Sequence, residues 1–186
     1  MTQPAPPPSA SDAPIAAFSK CHEGILTRLE ALAGLPALLE AAERARGVAG
    51  QTLKFFREVV YEHHQEEERE LFPAVLASSQ AGAERQRVQE IVDRLTREHR
   101  EVEAAYVRLE PGLKAAAKGH ESSLDARDVT ALVARYEAHA RYEEQEFLPL
   151  SQQILGRNSD HMAALGLSLH LRHSVPEVMA RYGSRI

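Results

Sequence analysis

Residues Phe55 to Pro73 read FFREVVYEHHQEEERELFP. Phe56, Val60, Leu71 and Phe72 recur at helical spacing, and the stripe they form runs through His64 and Glu68, four residues apart on one helical face. A core-facing stripe therefore carries an imidazole and a carboxylate. Burying two such groups without partners costs on the order of several kcal/mol, so something must satisfy them, and a metal ion is the natural candidate. His63 continues instead into Glu66, Glu67 and Glu70, which read as solvated. On helical phase His64 is the expected ligand and His63 a flanking group.

The rest of the chain repeats this arrangement. Three further apolar stripes each carry one histidine: His22 among Ile15, Phe18, Ile25, Leu26 and Leu29; His99 between Leu95 and Val102; and His139 between Leu132 and Phe147. His139 is followed four residues later by Glu143, as His64 is by Glu68. The separation of His22 from His64 nearly equals that of His99 from His139, so the chain reads as a helix hairpin stated twice. His-x-x-x-Glu alone is a weak signal, because Glu-rich helices produce it often. Its order and phase on four stripes are what give it weight.

A first helix is expected from about Ala13 to Leu35, with Asp12 as N-cap and Gly34 near the stop. Pro36 to Arg44 read as a short helical connection, and a second helix runs from about Gly47 to Ser78, with Pro73 a point of kinking. A third spans about Ala83 to Lys118, bent or interrupted by Pro111 and Gly112, and a fourth runs to about Ile154 from a cap at Asp125 or Ser123. Its buried face comprises Val88, Ile91, Val92, Leu95, His99, Val102 and Tyr106 in the third helix, and Leu132, Tyr136, His139, Glu143 and Phe147 in the fourth. The fold class is thus all-α, an antiparallel up-down four-helix bundle over residues 13–155. Residues 1–12 are expected to be a Pro-rich disordered arm, and residues 156–186 a C-terminal helical extension packed on the bundle, with a short helix around Met162 to Leu171.

Composition narrows the function. A length of 186 residues suits one domain with a real core, and Ala, Leu, Glu and Arg dominate while no strand pattern competes. A net charge of −5 without a basic block speaks against a nucleic-acid partner, and no apolar run is long enough for a membrane span. The N-terminus has no secretory pattern, and Cys21 is the sole cysteine, so we read the chain as cytoplasmic, with Cys21 a small residue near the core. Tyr61, Tyr106, Tyr136 and Tyr142 lie on or beside the stripes; Tyr106 and Tyr136 are candidate donors to an exogenous ligand. His120, His161, His170 and His173 lie off the pattern.

In an antiparallel bundle the four mid-helix positions fall at one level, so His22, His64, Glu68, His99, His139 and Glu143 can converge. Six ligands suit two ions better than one. If Glu68 and Glu143 bridge, each ion receives two imidazoles and two carboxylate oxygens, and a shared oxo or hydroxo group leaves one position open on each. Such donors suit iron or manganese, with zinc also compatible.

The run HHQEEERELFP, preceded by His22 and followed by Glu98-His99 and by HARYEE from His139, resembles the hemerythrin-like HHE cation-binding domain. The resemblance implies a four-helix bundle with a non-haem di-iron centre, in which His22, His64, His99 and His139 would be terminal ligands and Glu68 and Glu143 bridging ones. Oxygen-carrying hemerythrins have a His-x-x-x-His pair on the third helix. Here Leu95 stands four residues before His99, and the four-His, two-Glu pattern is similar to the helical domain of the bacterial repair of iron centres proteins. The expected function is a di-iron protein that binds or senses a small ligand such as O2, NO or peroxide. The alternatives are an enzyme acting on peroxide or NO, and an iron donor, iron-centre repair or regulatory protein.

Overall fold

The computed structural model describes residues 12–157; the expected N-terminal arm and the C-terminal extension lie, apart from their inner ends, outside them. Every regular element among the described residues is helical. The chain divides into one unit up to Ala45 and another from Arg46 onward.

Helix α1 is Asp12–Phe55. The expected break near Gly34 and the separate connection over 36–44 do not occur, and Pro36 lies inside the helix. A proline removes one helix bond, here the one to the carbonyl of Leu32, and Leu32 is exposed so that water can replace it. The flanking Ala, Leu and Glu residues favour helix strongly enough to carry it through. In the unit up to Ala45, Phe18, His22, Ile25, Leu26 and Leu29 are exposed, as is Cys21, which the sequence had placed near a core.

From Arg46 onward the elements form a packed body. A π-helical turn, Phe56–Val60, leads into α2 (Tyr61–Glu66); a second π-turn, Glu67–Leu71, leads into α3 (Phe72–Ser78). Helix α4 is Ala83–Ala117, and α5 (Ala126–Tyr142) passes through a third π-turn, Glu143–Phe147, into α6 (Leu148–Leu155). The described residues therefore contain three long helical runs, ending at Ser78, Ala117 and Leu155. Helix α4 packs on α3 and α5, and α3 on α6.

Two of the π-turns share a local cause. Glu67–Leu71 and Glu143–Phe147 each end two residues before a proline, Pro73 or Pro149. The proline ring crowds the carbonyl four residues back, and a wider turn relieves that crowding while keeping the helix going. Proline is not sufficient for this, because α4 runs through Pro111 without a π-turn or a break. There the carbonyl that loses its bond belongs to exposed Val107, and Gly112 serves a different purpose. A Cβ on Gly112 would lie 2.9 Å from Leu124 Cγ, so the glycine admits the loop that returns to α5, and Ser122 Oγ donates to the Gly112 carbonyl at 2.8 Å. Asp125 closes that loop as the N-cap of α5, accepting from the Arg127 backbone N–H at 2.8 Å.

The buried side chains fall into two apolar layers. One contains Phe72, Val75, Val88, Leu95, Phe147 and Ile154; the other contains Phe56, Val60, Val102, Tyr106, Leu109 and Leu132. The stripe of α4 is buried as its periodicity predicts, from Val88 to Tyr106. Between the two layers, in chain order on each helical run, lie His64, His99 and His139.

Candidate metal centre

The three histidines are placed by their neighbours. His64 follows Val60 by four residues, His99 follows Leu95 by four, and His139 precedes Phe147 by two turns, so burying those apolar anchors carries each imidazole inward. His64 and His99 are fully buried and His139 nearly so. The His64 and His99 rings stack with centroids 3.9 Å apart and planes 4° from parallel, and His139 meets the His99 ring edge-on at 4.8 Å.

Each of these imidazoles is held through Nδ1. His64 Nδ1 lies 3.1 Å from Glu103 Oε1, His99 Nδ1 2.8 Å from Glu68 Oε1, and His139 Nδ1 3.2 Å from Glu98 Oε2. An ionised carboxylate only accepts, so in each pair the proton sits on Nδ1 and the lone pair on Nε2. All three Nε2 atoms are buried and lack a hydrogen-bond partner among the described residues. Three inward lone pairs without a donor are costly in a packed interior, and a cation is the group that satisfies them.

A second cluster adjoins the first. His63, Glu67 and Glu143 bring donor atoms within 4.8 Å of one another, as His64, His99 and His139 also do. His63 Nε2 lies 3.6 Å from Glu67 Oε1, while Glu67 Oε2 lies 3.2 Å from His99 Nε2, so Glu67 joins the clusters. That last contact sets an imidazole lone pair against a carboxylate oxygen, again an arrangement a positive ion resolves. Between them the two groups offer four imidazoles and two carboxylates, a donor set that could hold metal.

The electrostatics of these groups agree with that. Burial pushes the Glu67 and Glu143 carboxyls up, and the two share a hydrogen bond, with Glu143 donating. A proton on the pair thus offsets part of the cost of burying two carboxylates side by side. Burial lowers the His64 imidazole to about 2, helped by the neighbouring His99, His63, His139 and Arg100, and burial also lowers His139. Both stay neutral, the form in which imidazole ligates a metal.

Of the residues assigned from sequence, the structure brings His64, His99, His139 and Glu143 into these clusters. Glu68 turns elsewhere: it is about one-fifth exposed, accepts from His99 Nδ1 and pairs with Arg100. Glu67 takes the inward place, 4% exposed. The π-turn is the reason. Counting back four residues from buried Phe72 lands on Glu68, whereas the wider turn spans five and lands on Glu67. His63, expected as a flanking group, belongs to the second cluster, and His22 is exposed on α1.

Sequence reasoning passed over a usable signal. Aligning Leu71-Phe72-Pro73 with Phe147-Leu148-Pro149 sets Glu67 opposite Glu143 and His63 opposite His139. Tyr136 stands beside the site, 6.0 Å from the His139 ring and 6.4 Å from that of His64, and its phenol is raised by burial and then by Glu67 and Glu143. Tyr106 instead stacks on Phe56 at 4.0 Å in the apolar layer.

Among known families, the hemerythrin HHE cation binding domain matches residues 13–151. No curated protein and no solved structure matches the chain.

Proposed function

Because the chain belongs to the hemerythrin HHE cation-binding domain family, we propose that it is a non-haem di-iron protein that binds or senses O2, NO or a peroxide at open iron positions. The observation that carries this reading is the set of three buried Nε2 lone pairs, one of them 3.2 Å from Glu67 Oε2. In this reading His64, His99 and His139 present Nε2, Glu67 joins the two clusters, and Glu143 and His63 complete the second. Bound iron supplies Lewis-acid and redox chemistry. The chain's own contribution is to fix the donors between two apolar layers, exclude bulk water, and release the Glu143 proton on loading. Tyr136, kept protonated, stands as a hydrogen-bond donor to the incoming ligand.

The four-helix form and the ligand role of His22 belong to the same proposal, supported by the fourth amphipathic stripe of the sequence. His22→Ala tests that part separately: a fall in iron content supports it, and an unchanged content removes it.

The decisive experiment is metal content per chain from iron-supplemented cells, with absorption spectra of the reduced protein before and after O2, NO or peroxide. About two irons per chain with charge-transfer bands that respond to the added ligand support the reading. No iron, or zinc alone, overturns it.

A further inference from the structure

Among the described residues, three carboxylates contact His64, His99 and His139 from outside the donor clusters. Glu103 and Glu98 both stem from α4 and reach outward, Glu103 to His64 of α2 and Glu98 to His139 of α5. Glu68, on the π-turn, reaches the other way to His99 of α4. Each is about one-fifth exposed, while the imidazole it holds is at most 2% exposed, so the carboxylates form a rim over the buried rings.

Arginines hold the rim in turn. Arg100 pairs with Glu68 Oε2 and, at 3.2 Å, with Glu103 Oε2, so one guanidinium joins the carboxylates that hold both stacked rings. Glu98 has its own partner, Arg94 Nε at 2.7 Å, whose guanidinium also lies 3.5 Å over the Tyr142 ring. The connectivity is therefore His64–Glu103–Arg100–Glu68–His99 on one side and His139–Glu98–Arg94 on the other.

We infer that Glu68, Glu98 and Glu103 are positioning residues of the metal centre, each fixing one imidazole with Nε2 inward, and that Arg100 couples two of them. This rests on the metal reading of the site. An anionic acceptor at Nδ1 holds the tautomer, orients the ring and makes Nε2 a stronger donor to a cation. Because each pair crosses between helices, the same contacts tie ligand orientation to helix register. The inference gives Glu68 a role distinct from ligation, although it sits four residues from His64.

The test combines two readouts on the full chain. In the metal-free protein, 15N shifts of the histidine ring nitrogens report the tautomer; with iron(II) added anaerobically, competition against a chelator reports affinity and saturation reports stoichiometry. Wild type is expected to show Nδ1–H at His64, His99 and His139. In Glu103→Ala, Glu68→Ala and Glu98→Ala the partner histidine alone loses that signature, and affinity falls about 10–100-fold with stoichiometry at saturation unchanged. The matching Glu→Gln variants keep an acceptor without the charge, so they retain the tautomer and recover part of the affinity. Arg100→Gln shifts the ring signals of His64 and His99 and leaves His139 as in wild type.

Loss of an iron equivalent at saturation in a Glu→Ala variant makes that carboxylate a ligand and overturns the inference. Unchanged tautomer and affinity make it a bystander and overturn it equally. A wild-type chain that binds no iron overturns the metal reading itself, a result distinct from either.

Discussion

Glu67 and Glu68 are chemically identical neighbours with opposite environments. Glu67 is buried, hydrogen-bonded to Glu143 and 3.2 Å from His99 Nε2, whereas Glu68 faces Arg100 at the rim. Their substitutions should part accordingly. Glu67→Ala is expected to lower bound metal at saturation, and Glu68→Ala to keep the stoichiometry while weakening affinity; metal analysis of the two purified variants decides. Equal stoichiometric loss in both would return Glu68 to the donor set. Leu95, fully buried one turn before His99, anchors that histidine from the apolar side. Leu95→Ala should cost about 2–5 kcal/mol, read as a lower denaturant midpoint, because the packed layer cannot close over the lost volume.

At the level of elements, α4 is the hub. It supplies His99 and two of the three rim carboxylates, and its stripe contributes to both apolar layers. Its connection to α5 depends on Gly112 accepting Leu124, so Gly112→Val should force the loop off the helix and cost about 1–3 kcal/mol. Asp125→Ala, which removes the α5 cap, should lower the denaturant midpoint. Both are checked by equilibrium unfolding. The two π-turns next to Pro73 and Pro149 each begin at an inward glutamate, Glu67 or Glu143. At Glu67 the wider turn sets the glutamate five residues before buried Phe72 and aims it into the polar layer.

Across the whole molecule the buried charges set a pH dependence that metal should abolish. His64 and His139 lie below the ordinary imidazole value of 6.5, so the unfolded chain takes up their protons first. Their contribution is complete above 6.5 and is lost as pH falls. Glu67 and Glu143 lie above the ordinary 4.5, so the folded chain holds protons that the unfolded chain has released. Their contribution is complete below 4.5 and is lost as pH rises. The slopes, up to about 1.4 kcal/mol per pH unit for each group, oppose one another between these values. The metal-free chain should therefore be most stable between about pH 4.5 and 6.5 and lose stability from pH 7 to 8. With metal bound, Glu67 and Glu143 would not need the shared proton, so melting temperature should hold over that interval; a chelator should restore the loss. Thermal melts at several pH values, with and without metal, test this directly.

The helical class, the buried stripe of α4 and the inward placement of His64, His99, His139 and Glu143 were all determined by the sequence, because they follow from regular spacing over α-helical turns. Family membership was legible too, from HHQEEERELFP and HARYEE. What only the tertiary structure decided was where regular spacing stops. Helix α1 continues through Pro36 because exposed carbonyls can bond to water, a fact about surroundings that a proline does not announce. Which of Glu67 and Glu68 lies inward turned on a π-helical turn, which adds one residue to a period that regular spacing takes as fixed. The rim of Glu68, Glu98 and Glu103 joins residues far apart in the chain, so no local pattern could carry it; packing three helical runs around one polar layer created it.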